Sequence, residues 1–330
     1  MIQTGIIFGF VLGFLLRQSQ FNFAHELRPG LTSQQSAGWL NILVIILIAS
    51  LVLWGLVSVN VVTLPDNPDY SPSAVICGSL IFGCGMQLSA GCMIDCLVDL
   101  GALDGNALLT LVTFILTLVF YNRGLFSKSL DALTGNNLVS DTWLQATHYA
   151  FPVSLLVLLV ITGAGLTWYF KTRSVSRSAY WFLAVAVGIG LLAGLAFLAN
   201  SLAGGFGSFV VVNPLLTWYG FIKGRGAGIS VSWGMYFTAS IIVGSLLSSL
   251  CQRQFRWRAV SLITLIRALG GGLLMGLGAG LSKGTFTSNG LVYTAMLSAQ
   301  GWLALIFIVV GFMLTDRLAR LINSKLAARL

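Results

Sequence analysis

Cys92, Asp95, Cys96 and Asp99 stand three and four residues apart in the stretch GCMIDCLVDLG. On a helix that spacing puts two thiols and two carboxylates on one side, a set able to hold a soft metal ion. Metal chemistry is nonetheless a poor fit. The only histidines are His25 and His148, neither within forty residues, and the spacing follows automatically from any helix with two cysteines. No Ser/His/Asp or Cys/His arrangement for covalent catalysis stands out, so no enzyme is expected. The Gly-rich run GGGLLMGLGAG lacks the lysine and the preceding strand of a phosphate-binding loop, and no nucleotide or other cofactor is expected. What remains is a thiol in apolar sequence: Cys92 follows Gly91 between two short hydrophobic segments. A helix starting there presents unpaired N–H groups and a partial positive charge, and the thiol adds a weak donor and a polarisable sulfur. That chemistry suits a soft anion.

The elements around Cys92 belong in a membrane. Of 330 residues only 8% are charged and 57% are hydrophobic, and the mean hydropathy is +0.91. A soluble domain carries about 25% charged residues and could not cover its surface with so few. Nine hydrophobic segments can be marked, roughly 2–16, 39–61, 74–90, 105–121, 147–170, 180–199, 229–250, 260–282 and 300–316. The first and third are short for a span, and several end in broken polar stretches, at 17–38, 89–104, 200–228 and 283–299. Irregular backbone at membrane depth survives only where protein or a water-filled cavity covers it, which points to a transport pathway. Gly5, Gly9 and Gly13, four apart, predict a closely packed helix pair. Five cysteines, an odd number and all in apolar sequence, argue against structural disulfides. No cleavable signal segment is expected.

Basic residues set the expected orientation. With nine crossings and an outer N-terminus, the cytoplasmic side receives Arg17, Arg28, Lys171, Arg173, Arg177, Arg253, Arg256, Arg258, Arg317, Arg320, Lys325 and Arg329. The outer side receives Arg123, Lys128, Lys223, Arg225 and Lys283. Twelve against five follows the positive-inside rule, so the C-terminus is expected in the cytoplasm. The net charge of +9 is read as basic loops and not as a nucleic-acid footprint. The run Arg253, Arg256, Arg258 with Phe255 and Trp257 reads as a lipid-headgroup anchor.

Residues 78–92, GSLIFGCGMQLSAGC, repeat as 271–285, GGLLMGLGAGLSKGT. Without a gap they match at Gly78/Gly271, Leu80/Leu273, Gly83/Gly276, Gly85/Gly278, Leu88/Leu281, Ser89/Ser282 and Gly91/Gly284, seven of fifteen. Four expected crossings precede the helix 147–170 and four follow it, which inverts the second half relative to the first. The fold class is therefore an all-α integral membrane protein of about nine transmembrane helices in two inverted repeats, with re-entrant broken helices around an hourglass pore. The first repeat spans 1–121. An outer loop, linking helix and cytoplasmic loop span 122–179, and the second repeat with its cytoplasmic tail spans 180–330.

These segments resemble the YeeE/YedE family of bacterial inner-membrane proteins, whose studied members take up thiosulfate. GFLLRQSQFNFAHELRPG resembles the family's first loop, R-x-x-F-C-…-R-D. GCGMQLSAGC resembles G-x-G-x-x-L-A-G-G-C, and QFRWRA followed by GGGLLMGLGAGLSKGTFTSNGLVYTAMLSAQGW resembles the second repeat and its following helix. The resemblance covers nearly the whole chain. It implies three thiosulfate-contacting cysteines along the pore, which fall on Asn22, Cys92 and Thr285, so that only Cys92 is a thiol here. It also implies an acid where Pro29 stands, leaving Arg28 without it, and a small residue where Lys283 stands. The implied cargo is thiosulfate or a similar small anion, bound by Cys92, Thr285, Asn22, Lys283 and Arg28 with Gly91 and Gly284 at the turns. The implied partner is a small TusA-like cytoplasmic sulfur-carrier protein. Lys283 has three roles open to it: anion attraction, pairing with Asp95, or snorkelling to the outer surface. The alternatives to a thiosulfate permease are a membrane sulfurtransferase in which Cys92 carries a persulfide, and a divergent paralogue carrying another oxyanion.

Overall fold

The computed structural model describes residues 2–28, 38–62, 69–124, 138–139, 147–172, 177–224, 230–253 and 261–327. Pro29, residues 63–68 of the loop 62–73, Lys128, Arg173, Arg225, the run from Phe255 to Arg258 and Arg329 lie outside them. The described chain is helical: α1 Thr4–Ser19, α2 Phe23–Glu26, α3 Gly38–Ser58, α4 Pro72–Leu88, α5 Met93–Gly101, α6 Gly105–Asn122, α7 Thr147–Thr172, α8 Arg177–Leu202, α9 Val212–Lys223, α10 Trp233–Cys251, α11 Leu262–Ser282 and α12 Ala299–Ala327. A π-helical turn, Ser288–Tyr293, lies between α11 and α12. Tyr70 and Val139 make an isolated antiparallel bridge.

Local chemistry accounts for where these helices begin. Pro72 opens α4, where its missing N–H costs nothing. The Asp104 carboxylate accepts from Asn106 N–H at 2.8 Å and starts α6. Ser261 and Thr264 cap each other at the start of α11.

Among the described residues, seven helical stretches are long and apolar enough to cross a membrane: Gly38–Ser58, Pro72–Gly101, Gly105–Asn122, Ala179–Leu202, Trp233–Cys251, Leu262–Ser282 and Ala299–Leu321. The chain is a multi-pass membrane protein. One of the nine expected segments, Thr4–Ser19, falls below that length, whereas α7 runs for 26 residues. At 1.5 Å per residue, the 16 residues of α1 reach only about 24 Å. The third segment is short, as expected: α4 has 17 residues, and the chain turns at 89–92 before continuing as α5.

Glycine lets the helices close on one another. The carbonyls of Phe237 and Ile241 occupy the places where Cβ atoms on Gly9 and Gly13 would sit, and a Cβ on Gly5 would lie 2.6 Å from Trp233 O. The i, i+4 glycines of α1 therefore form the seam with α10, as their spacing predicts. A second seam joins α4 to α11. A Cβ on Gly78 would lie 2.6 Å from Ser282 N, and one on Gly271 would lie 2.8 Å from Ser89 Cβ. The start of α4 thus meets the end of α11 and the reverse, so the two helices run antiparallel. Outside these seams Ile7, Val11, Ile263, Ile266 and Leu318 are exposed, as lipid-facing side chains must be.

Candidate functional site

Two turns interrupt the bundle, one after α4 and one after α11, and they are built alike. Ser89 Oγ donates back to Gly85 O at 3.0 Å and forward to Gly91 O at 2.9 Å. Ser282 Oγ donates to Gly278 O at 2.8 Å and Gly284 O at 3.0 Å. Ala90 (φ 58°) and Lys283 (φ 53°) then take the left-handed conformation, which costs about 1–2 kcal/mol for a residue with a Cβ. Two residues on, Cys92 N–H donates to Asp95 Oδ2 at 2.8 Å, and Thr285 N–H donates to Ser288 Oγ at 2.7 Å. A third turn has the same order. Gln20 is left-handed (φ 56°), and Asn22 caps the four-residue α2 by accepting His25 N–H at 2.9 Å.

The three positions expected to line a route are thus the three helix-capping residues of these turns. Cys92 and Thr285 are each 1% exposed, Gly91 and Gly284 are buried, and Asn22 is half-buried. Asn22 stands beside the Cys92 turn, its Nδ2 donating to Ala90 O at 3.5 Å. Phe23 touches both of the other turns, its N–H bonding Asp95 at 3.2 Å and its ring standing 5.7 Å from that of Phe286. The C-terminal ends of α4 and α11 lie at opposite ends of a twelve-residue paired stretch, Gly78–Ser89 against Gly271–Ser282, roughly 16 Å of helix. Thr285 Oγ1 bonds the hydroxyls of Thr287 and Ser288, at 3.1 and 3.3 Å.

The two basic candidates differ. Arg28 is half-buried, and its Nε is buried with no hydrogen-bond partner among the described residues. Lys283 is exposed at the end of α11. It does not pair with Asp95 among the described residues: that carboxylate accepts Cys92 N–H with one oxygen and Phe23 N–H, at 3.2 Å, with the other.

Asp95 is the residue whose role sequence reasoning missed. It is 3% exposed and faces a cavity of about 280 Å³ lined by Leu16, Arg17, Gln20, Phe21, Asn22, Asp95, Val98 and Asp99. Arg17 reaches across this cavity to Asp99, Nη1 to Oδ1, at 3.7 Å. The available signal was an acid in apolar sequence, since intramembrane ionisable residues are expensive and functional by default. The site offers amide, hydroxyl, thiol and backbone N–H donors, and the Asp95 carboxylate also stands within hydrogen-bond reach of the Cys92 side chain. Among the described residues no group of three His, Cys, Asp or Glu could hold a metal ion.

Broken helices and buried donor-bearing turns inside a multi-pass helical bundle define a membrane protein of the transport class. The chain belongs to the sulphur transport family, whose model matches residues 18–314. Two relatives bear the name thiosulfate transporter TsuA. One, from Escherichia coli (strain K12), is 26% identical over 94% of this chain and 92% of its own length. The other, from Spirochaeta thermophila, is 25% identical over 94% of this chain and 97% of its own length.

Proposed function

We propose that this chain is a permease that carries thiosulfate, or a sulfur anion much like it, across the bacterial inner membrane. The observation that carries the reading is the pair of matching turns at Cys92 and Thr285, buried among apolar helices in a chain of the sulphur transport family. The names of the two relatives support the substrate. In this reading α1 and α7 also cross, making nine crossings, and the chain divides into repeats 1–121 and 180–330 around the linking region 122–179. The reciprocal contacts support a two-fold relation: Gly78 faces Gly278 while Gly85 faces Gly271, and the sequence matches Gly78 to Gly271 and Gly85 to Gly278. The excess of basic residues argues for a periplasmic N-terminus and a cytoplasmic C-terminus, where a TusA-like carrier protein receives the cargo.

The anion passes the donors in succession. Arg28 and Lys283 attract it electrostatically. Asn22 and Thr285 meet its oxygens with amide and hydroxyl donors, and Cys92 meets its sulfur. Gly91 and Gly284 leave space at the turns. Burial of Cys92 argues against a persulfide relay, because a sulfur acceptor protein needs an accessible thiolate.

Uptake of radiolabelled thiosulfate in a strain lacking its other thiosulfate permeases tests the reading. The wild-type chain restores uptake, Cys92→Ala abolishes it, and Asn22→Cys with Thr285→Cys raises it. Failure of the wild type to restore uptake, in the face of normal membrane insertion, refutes thiosulfate transport. Movement of sulfate instead identifies a pore for another oxyanion.

A further inference from the structure

Asp95 does more than its position requires. A cap for the Cys92 turn needs one acceptor three residues on, and Ser288 shows that a hydroxyl suffices: it takes Thr285 N–H at 2.7 Å. The corresponding place in the first turn holds a full carboxylate, 3% exposed and without a cation partner among the described residues. The nearby Arg17 pairs with Asp99. A buried charge of this kind is costly unless the extra acceptor has a use. Here it reaches a different turn: Oδ1 accepts Phe23 N–H at 3.2 Å, 72 residues away in sequence. Asn22 strengthens the same junction through Ala90 O, and Asp95 Cβ lies 3.0 Å from where a Cβ on Gly91 would stand. Among the described residues the second turn has no equivalent reach, for Ser288 bonds there only within its own turn.

We propose that Asp95 is a latch between the Asn22 turn and the Cys92 turn: its carboxylate holds the two N–H groups that flank the approach to Cys92 and keeps the cavity of about 280 Å³ closed from that thiol. The proposal rests on the permease reading and assigns Asp95 a positioning role within it. An anion moving between Asn22 and Cys92 must exchange with the carboxylate at one of these N–H groups. The carboxylate stands in for the anion while the route is empty, keeping both donors satisfied in apolar surroundings.

The test reads the access to Cys92 and needs no transport. The full chain in membrane vesicles is treated with a sulfonate-bearing methanethiosulfonate, and the modified cysteines are mapped by mass spectrometry. Asp95→Ser, which copies Ser288, keeps the cap and loses the bridge, so Cys92 should be modified at least tenfold faster than in the wild type. Asp95→Asn keeps the shape and one carbonyl acceptor and should fall between them. A Thr285→Cys thiol, at the turn without a bridge, should react at the same rate with or without Asp95→Ser. Unchanged Cys92 modification in both Asp95 variants overturns the latch. So does an equal rise at positions 92 and 285, which would report general loosening of the bundle. Thiosulfate uptake in the same vesicles tests the permease reading separately: wild-type vesicles without uptake remove that reading, and the labelling still decides whether Asp95 closes the junction.

Discussion

The rings of Phe23 and Phe286 stand 5.7 Å apart between centroids and are tilted by 56°. Each ring belongs to the residue after a candidate donor, Asn22 or Thr285, and both residues are fully buried. The contact joins the first turn to the last, while Asp95 joins the first to the central one. The short α2 is further held to α3, where Asn41 Nδ2 donates to Glu26 Oε2 at 2.6 Å. All three turns are therefore linked through α2.

Removing that aromatic contact should loosen the first turn. Phe286→Ala takes away a buried ring, a change that costs about 3–5 kcal/mol in well-packed interiors. It should lower the melting temperature in detergent and reduce uptake. Phe286→Leu fills most of the volume and should recover most of the stability. A melting temperature unchanged by Phe286→Ala would show that the ring pair does not hold α2.

The α1–α10 seam should tolerate no side chain. Gly13→Ala places a methyl group against the Ile241 carbonyl, so the helices must separate and the protein should lose stability or fail to accumulate. Gly55, with nothing within 4 Å of a Cβ, provides the control: Gly55→Ala removes a poor helix former and should be neutral or stabilising by up to about 1 kcal/mol. Thermal unfolding of the two purified variants measures the difference. Equal behaviour would refute close approach at Gly13.

Lys283 separates electrostatic attraction from a purely structural position. Its side chain is exposed and its backbone is left-handed. Lys283→Met should weaken uptake at low substrate concentration, with a raised half-saturation constant and a maximal rate near that of the wild type. Lys283→Arg should retain most of the affinity. Lys283→Gly should be at least as stable as the wild type, because glycine adopts positive φ without strain. Unaltered half-saturation in Lys283→Met would leave the lysine with no part in anion capture.

Composition alone required a membrane protein, because so few charges cannot clothe a soluble surface. Spacing alone identified the seam residues Gly5, Gly9 and Gly13, since helical periodicity is a local property that needs no partner to be read. The matched segments 78–92 and 271–285 likewise announced two similar turns, down to the serine that closes each one. Their partners were not legible. Nothing local tells that Asp95 turns away from Lys283 and reaches Phe23, because that bond depends on how α1, α2 and α5 are stacked. Nor does the sequence show that α4 and α11 pair antiparallel, or that Asn22 stands beside the Cys92 turn. Side-chain periodicity records which face of a helix is buried. The register of one helix against another is a long-range outcome of packing, and only the tertiary structure decides it.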